Sequence, residues 1–192
     1  MKDWVEKILQ EKSELLNQIK FTGYLEKVEL AGSEVVSCLK SNGKILLAGN
    51  GGSAADAQHF AGEIIGRFTM ERKSLPAISL CVDPSVMTCI GNDYGYEQVF
   101  ARQVEGLGNS QDIFIGISTS GNSKNIIEAL KAAKNKNMKT ICFLGKDGGQ
   151  IKSLCDYPLV VPSNCTPRIQ EIHTFTVHIL CQLIEKEIFE NK

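Results

Sequence analysis

The sequence has no apolar run approaching the roughly 18 residues that a membrane-crossing helix needs. No membrane partner is therefore expected. It also lacks an excess of either charge, with 21 Lys+Arg against 22 Asp+Glu and a formal net charge of −1. A protein that lives on the nucleic-acid backbone needs a strong basic surplus, so nucleic acid is not an expected partner. Met1 to Lys20 is charged and helix-like, without the apolar centre of an export signal, so a cytoplasmic chain is expected. C-x-x-C spacing is absent among the seven cysteines, whose number is odd. They read as free thiols, mostly small buried hydrophobes, and none is given chemistry. Histidine is scarce too, with three in the chain.

What is there suits one folded domain. The chain has 192 residues, of which 43% are hydrophobic and 22% charged. That is enough apolar matter to offset the ordering entropy, and too short for two full domains. Trp4, Val5, Ile8, Leu9, Leu15, Leu16 and Ile19 recur at helical spacing, and Leu25, Val28, Leu30, Val35, Val36 and Leu39 repeat the pattern after Thr22-Gly23. Residues 1–43 thus form a helical hairpin, which can cover the sheet within the chain or face a partner subunit. Residues 44–192 continue with it as one α/β unit. Strands are predicted at 44–48, 77–81, 112–118, 140–145 and 157–161. Helices are predicted over 53–65, about 96–105, 125–136 and about 168–187. Such alternation implies right-handed crossovers and a five-stranded parallel sheet flanked by helices. Pro158 marks the last strand as an edge.

Two strand exits carry unusual loops, and ligands of open parallel sheets bind beyond the carboxyl ends of strands. The first is Gly49-Asn50-Gly51-Gly52-Ser53. Its glycines permit tight turns and close ligand approach, and Ser53 can cap the next helix. The second is Ser118-Thr119-Ser120-Gly121-Asn122-Ser123. A helix cap needs one hydroxyl, and this loop offers four. Hydroxyls, backbone N–H groups and a helix dipole together make a neutral phosphate cradle.

His59 and Glu63, four apart, differ by only about 40° around a helix axis, so both project from one face. A pair so placed can bind a divalent ion or hold one another by hydrogen bond. Gln170 and His178 are eight apart and reach one side, whereas His173 is turned about 140° from His178. Asn92-Asp93, before Tyr94-Gly95-Tyr96, read as a turn or a ligand contact.

Strand–GNGGS–helix, Gly91-Asn92-Asp93, strand–STSGNS–helix, His59…Glu63 and Gln170…His178 together resemble the sugar isomerase (SIS) domain family over essentially the whole chain. The resemblance is nearest the branch that acts on a seven-carbon ketose phosphate. It implies isomerisation of sedoheptulose 7-phosphate to a glycero-manno-heptose 7-phosphate, the first step toward heptose for a surface polysaccharide. It implies substrate contacts from Asn50, Gly51, Gly52, Ser53, Glu63, Asn92, Asp93, Ser118, Thr119, Ser120, Ser123 and Gln170. It implies Glu63 and His178 as acid–base groups working through a cis-enediol, and a zinc ion on His59, Glu63, Gln170 and His178. A Gln ligand is unusual for zinc. It further implies a homotetramer through the two leading helices and the last one, with sites lined by more than one subunit. Two other readings share the fold: a non-catalytic member that binds a replication-initiator partner, and an isomerase of a shorter sugar phosphate. The complete Glu63/His178 pair favours an enzyme over the binding module.

Overall fold

The computed structural model describes residues 1–190. Among the described residues seven α-helices and five strands alternate, with the strands where the sequence predicts them. The elements are α1 (Lys2–Ile19), α2 (Tyr24–Lys40), β1 (Ile45–Gly49), α3 (Gly52–Ile65), β2 (Ala77–Ser79), α4 (Pro84–Tyr94), α5 (Ala101–Leu107), β3 (Ile113–Ser118), α6 (Lys124–Asn135), β4 (Lys139–Gly145), β5 (Tyr157–Val161) and α7 (Thr166–Glu185). The strands pair in parallel in the order β2-β1-β3-β4-β5, which puts Pro158 on an edge as expected.

Strand side chains alternate between faces, and that alternation builds two cores. Ile45, Leu47, Ile113, Ile115, Ile117, Ile141 and Phe143 point to the side covered by α2, α3 and α7. Leu46, Ala48, Phe114, Cys142 and Leu144 point to the side covered by α4, α5 and α6. Both faces are covered, which is why β1 and β3 read as unbroken apolar runs.

The two leading helices part company. α2 is an intrachain cover: Val28, Ala31, Val35 and Leu39 are buried, and Gly32 lies under Leu180 and Leu183 of α7. The Tyr24 hydroxyl meets the Thr176 hydroxyl at 2.9 Å, and burial raises its pKa against that bond. α1 buries only Leu15 and Ile19, and leaves Trp4, Val5 and Leu9 exposed.

Three local expectations are corrected. Residues 84–94, a helix-like run to which the sequence assigns no bounds, form a helix: Asp83 caps it through Ser85 N and Val86 N, and Pro84 occupies its first turn. Asn92 and Asp93 accordingly lie in the last turn of α4 and not in a free turn. The expected helix over 96–105 is instead a single 3₁₀ turn, Tyr96–Gln98, followed by α5. Ser53 does not cap α3. The cap position is Gly51, at φ 56°, and Ser53 is buried one residue inside the helix. All seven cysteines are free thiols, and Cys38, Cys142, Cys155 and Cys181 are buried.

Candidate active site

In the order β2-β1-β3-β4-β5 the strand sequence reverses between β1 and β3, the place where such sheets bind ligands. The loops after those two strands are GNGGS and STSGNS. A reciprocal amide pair ties them together. Asn50 Nδ2 donates to Asn125 Oδ1 at 2.9 Å, and Asn125 Nδ2 donates to Asn50 Oδ1 at 2.8 Å. The Tyr96 hydroxyl also donates to Asn50 Oδ1, at 3.0 Å, which draws in the segment that carries Asn92 and Asp93. Asn92 Nδ2 donates to Asp93 Oδ1 at 2.7 Å, and both residues are exposed.

The STSGNS loop is shaped by backbone. Ser118 and Ser123 hydroxyls meet at 2.9 Å, and Asn122 N donates to Ser120 Oγ at 3.2 Å. Ser123 stands at the N-cap of α6, yet its side chain makes no cap bond. The free helix end and the hydroxyl cluster thus face the same loop. Gly121 adopts φ 66°, and a Cβ there would lie 2.0 Å from the carbonyl oxygen of Gly148. Ile151 N donates to Gly121 O, and Gln150 N donates to Asn122 Oδ1. The loop after β4, Gly145-Lys146-Asp147-Gly148-Gly149, is therefore the brace of the cradle.

The candidate acid–base groups lie along the α3–α7 contact, rung by rung. At the top, the Gln170 amide rests on Gly52, where an added Cβ would sit 2.4 Å from Gln170 Nε2. One turn on, the Thr174 hydroxyl donates to Asp56 Oδ1 at 2.9 Å. Next, the rings of His59 and His178 meet edge to face, centroids 5.2 Å apart. His59 Nε2 hydrogen-bonds Glu63 Oε1 at 2.9 Å, as the four-residue spacing predicts. Phe68 covers the other side of His178 at 5.3 Å. Burial raises the pKa of Asp56 against the pull of the Thr174 hydroxyl and His59.

The structure thus joins His59, Glu63 and His178, and places Gln170 two turns back. About seven residues of helix rise, roughly 10 Å, separate Gly52 from His59. Two imidazoles and a carboxylate are donor types that zinc takes. Among the described residues no three His, Cys, Asp or Glu side chains already stand as a metal cage. His173 faces away, as expected. It is fully buried, and its Nε2 donates to Leu144 O at 3.0 Å. Burial outweighs that bond and pushes the His173 pKa down to about 4.

Asn125, Tyr96 and Asp56 escaped the sequence reading. Asp56 alone had a local signal, since it precedes His59 by three residues on one helix face. The partners of Asn50 lie 46 and 75 residues away, beyond any spacing rule.

An SIS domain model matches residues 9–145, and the chain belongs to the SIS domain family. Within that family it is similar to phosphoheptose isomerases. It is 50% identical to the phosphoheptose isomerase of Clostridium acetobutylicum over 193 residues, covering 100% of this chain and 98% of the relative. The solved phosphoheptose isomerase from Neisseria gonorrhoeae aligns with a TM-score of 0.91 and 42% identity, over 96% of this chain and 98% of that one. The one from Francisella tularensis aligns with a TM-score of 0.92 and 38% identity, over 96% and 97%.

Proposed function

We propose that the chain is an aldose–ketose isomerase that converts sedoheptulose 7-phosphate to D-glycero-D-manno-heptose 7-phosphate, the first step of nucleotide-activated heptose biosynthesis. The observation that carries this reading is the meeting of His178 on α7 with the His59–Glu63 pair on α3. Isomerisation moves one proton between neighbouring carbons and another between neighbouring oxygens, so it needs two proton-handling groups beside one substrate. Glu63 moves the proton on one side of a cis-enediol, and His178 on the other. Both side chains are only partly buried, so each exchanges protons with water between turnovers. Ser118, Thr119, Ser120, Ser123 and the N-terminus of α6 hold the phosphate. Asn50, Gly51, Gly52, Ser53, Asn92, Asp93 and Gln170 line the sugar.

His59, Glu63, Gln170 and His178 would hold a zinc ion. Such an ion supplies polarisation of the sugar carbonyl when bound. The exposed apolar face of α1, together with exposed Phe175 on α7, supports a homotetramer. The roughly 10 Å of helix between cradle and acid–base cluster fits sites assembled from more than one subunit. A cytoplasmic location follows from the sugar-phosphate substrate. A monomer in light scattering would count against the assembly.

The test is incubation with sedoheptulose 7-phosphate, with and without zinc, followed by NMR. The aldose product is expected, formed faster with the metal. No conversion in either arm would refute the isomerase, and faster turnover of a five- or six-carbon ketose phosphate would move the substrate.

A further inference from the structure

Glu185 closes α7, is 2% exposed, and plays no part in the proton transfers above. Its oxygens accept from the backbone N–H groups of Phe68 and Thr69 at 2.9 Å, Met70 at 3.2 Å, the Thr69 hydroxyl at 2.8 Å and Arg72 Nε at 2.9 Å. Burial by itself favours the neutral acid. The donors outweigh it and hold the carboxyl down at about 2. Arg72, whose side chain is 1% exposed, turns its Nη groups to the end of α3, and Nη1 also donates to Lys73 O at 3.1 Å. Nη2 donates to Glu63 O at 2.7 Å and Nη1 to Ile64 O at 2.9 Å. Those carbonyls belong to the last turn of the helix, where no intrahelical N–H remains for them; Ile64 O also accepts from Leu75 N at 3.3 Å.

A buried ion pair is weak evidence for stability, because apolar side chains of the same volume would fill the space without burying charge. What the pair has and an apolar patch lacks is direction. The guanidinium holds the backbone of Glu63 itself. The carboxylate holds the N–H of Phe68, whose ring packs on His178. His178 and Glu185 share α7, two turns apart. The pair therefore fixes both helices at the level of the acid–base groups. It makes no contact with the cradle, which is braced by the loop after β4.

We infer that the Arg72–Glu185 pair is a positioning device that sets Glu63 against His178, and so governs proton transfer and not phosphate capture. The inference rests on the isomerase reading. Its test is steady-state kinetics on sedoheptulose 7-phosphate for the wild type, Glu185→Gln and Arg72→Lys, with folding checked by circular dichroism. Glu185→Gln keeps the shape and removes the charge. Arg72→Lys keeps the charge and loses the planar fork that reaches Glu185, Glu63 and Ile64 together. In both, kcat is expected to fall by about 100-fold, the scale of an ångström of misplacement, while KM barely moves. Thr69→Ala removes one bond of the set and remains usable should the stronger variants not fold; a smaller loss confined to kcat is expected. Wild-type kcat in folded variants, or a change confined to KM, overturns the inference.

A second readout does not depend on turnover. With three histidines in the chain, the ring resonances of His59 and His178 can be followed by NMR, and both should move in Glu185→Gln. Unmoved resonances overturn the positioning role whatever the kinetics. An inactive wild type overturns the isomerase reading instead, so the two failures are distinguishable.

Discussion

The two ends of the site are built from opposite materials. The phosphate end is neutral: serine and threonine hydroxyls, backbone N–H groups, a helix terminus, and a second loop packed so closely that only glycine fits at 121. The acid–base end is titratable and aromatic, with two histidines, two carboxylates and a phenylalanine between α3 and α7. Behind it lies a buried ion pair. On the proposed reading a neutral cradle binds phosphate without a basic surplus, which suits a chain of net charge −1. The difference predicts that damage to one end should appear mainly in KM and damage to the other mainly in kcat.

The largest expected effect is at the charged end. Glu63→Gln keeps the hydrogen bond to His59 and removes the base, so kcat should fall by roughly 10²–10⁴-fold, the range for one positioned acid–base group. Substrate binding, measured by calorimetry, should change little; near-normal turnover would remove Glu63 from the mechanism. Gly121→Ala strikes the neutral end. The side chain meets Gly148 and the backbone holds φ 66°, so strain of about 1–3 kcal/mol should raise KM about tenfold or more. A kcat loss at unchanged KM would blur the division. Ser123→Ala removes one hydroxyl, and KM should rise about fivefold, the worth of one ordinary hydrogen bond. Little response there would mean that the helix end and the other hydroxyls suffice.

One further effect falls on the fold and leaves the site alone. An unfolded imidazole takes a proton near pH 6.5, whereas buried His173 resists until about 4. Stability present above pH 6.5 is therefore lost as the pH falls through that window, by an amount on the order of 3 kcal/mol. Glu185 behaves the same way lower down. Its contribution is present above pH 4.5 and lost as the pH falls toward about 2. Urea unfolding between pH 7 and 4 should show the first loss, and His173→Gln should flatten it. An unchanged slope in that variant would assign the loss to other groups.

The strands were legible because burial on both faces makes them short, unbroken apolar runs, and α6 was legible because its apolar residues keep helical spacing. α4 was not. Its apolar face is short, Val86, Met87 and Ile90, and its start signal is the Asp83-Pro84 pair, which reads as a turn as readily as a cap. At the site, helix spacing put His59 and Glu63 on one face, and their hydrogen bond is one of the two arrangements it allowed; the hydroxyl excess of STSGNS singled out the loop before α6. The Asn50–Asn125 pair, the brace at Gly148 and the Arg72–Glu185 pair left no such trace. Each joins residues brought together only by the crossovers of the sheet, and the last spans 113 positions.

In the proposed mechanism Glu63 and His178 carry protons through an enediol while the neutral cradle holds the phosphate. Running the isomerisation in heavy water tests it most directly. Because both groups exchange with solvent, the heptose 7-phosphate formed from sedoheptulose 7-phosphate should carry deuterium at C2 by NMR. Neither product nor label should appear with Glu63→Gln on the same timescale. Product formed at the normal rate without label would rule out a proton carrier that exchanges with solvent between the two carbons, and would contradict the account.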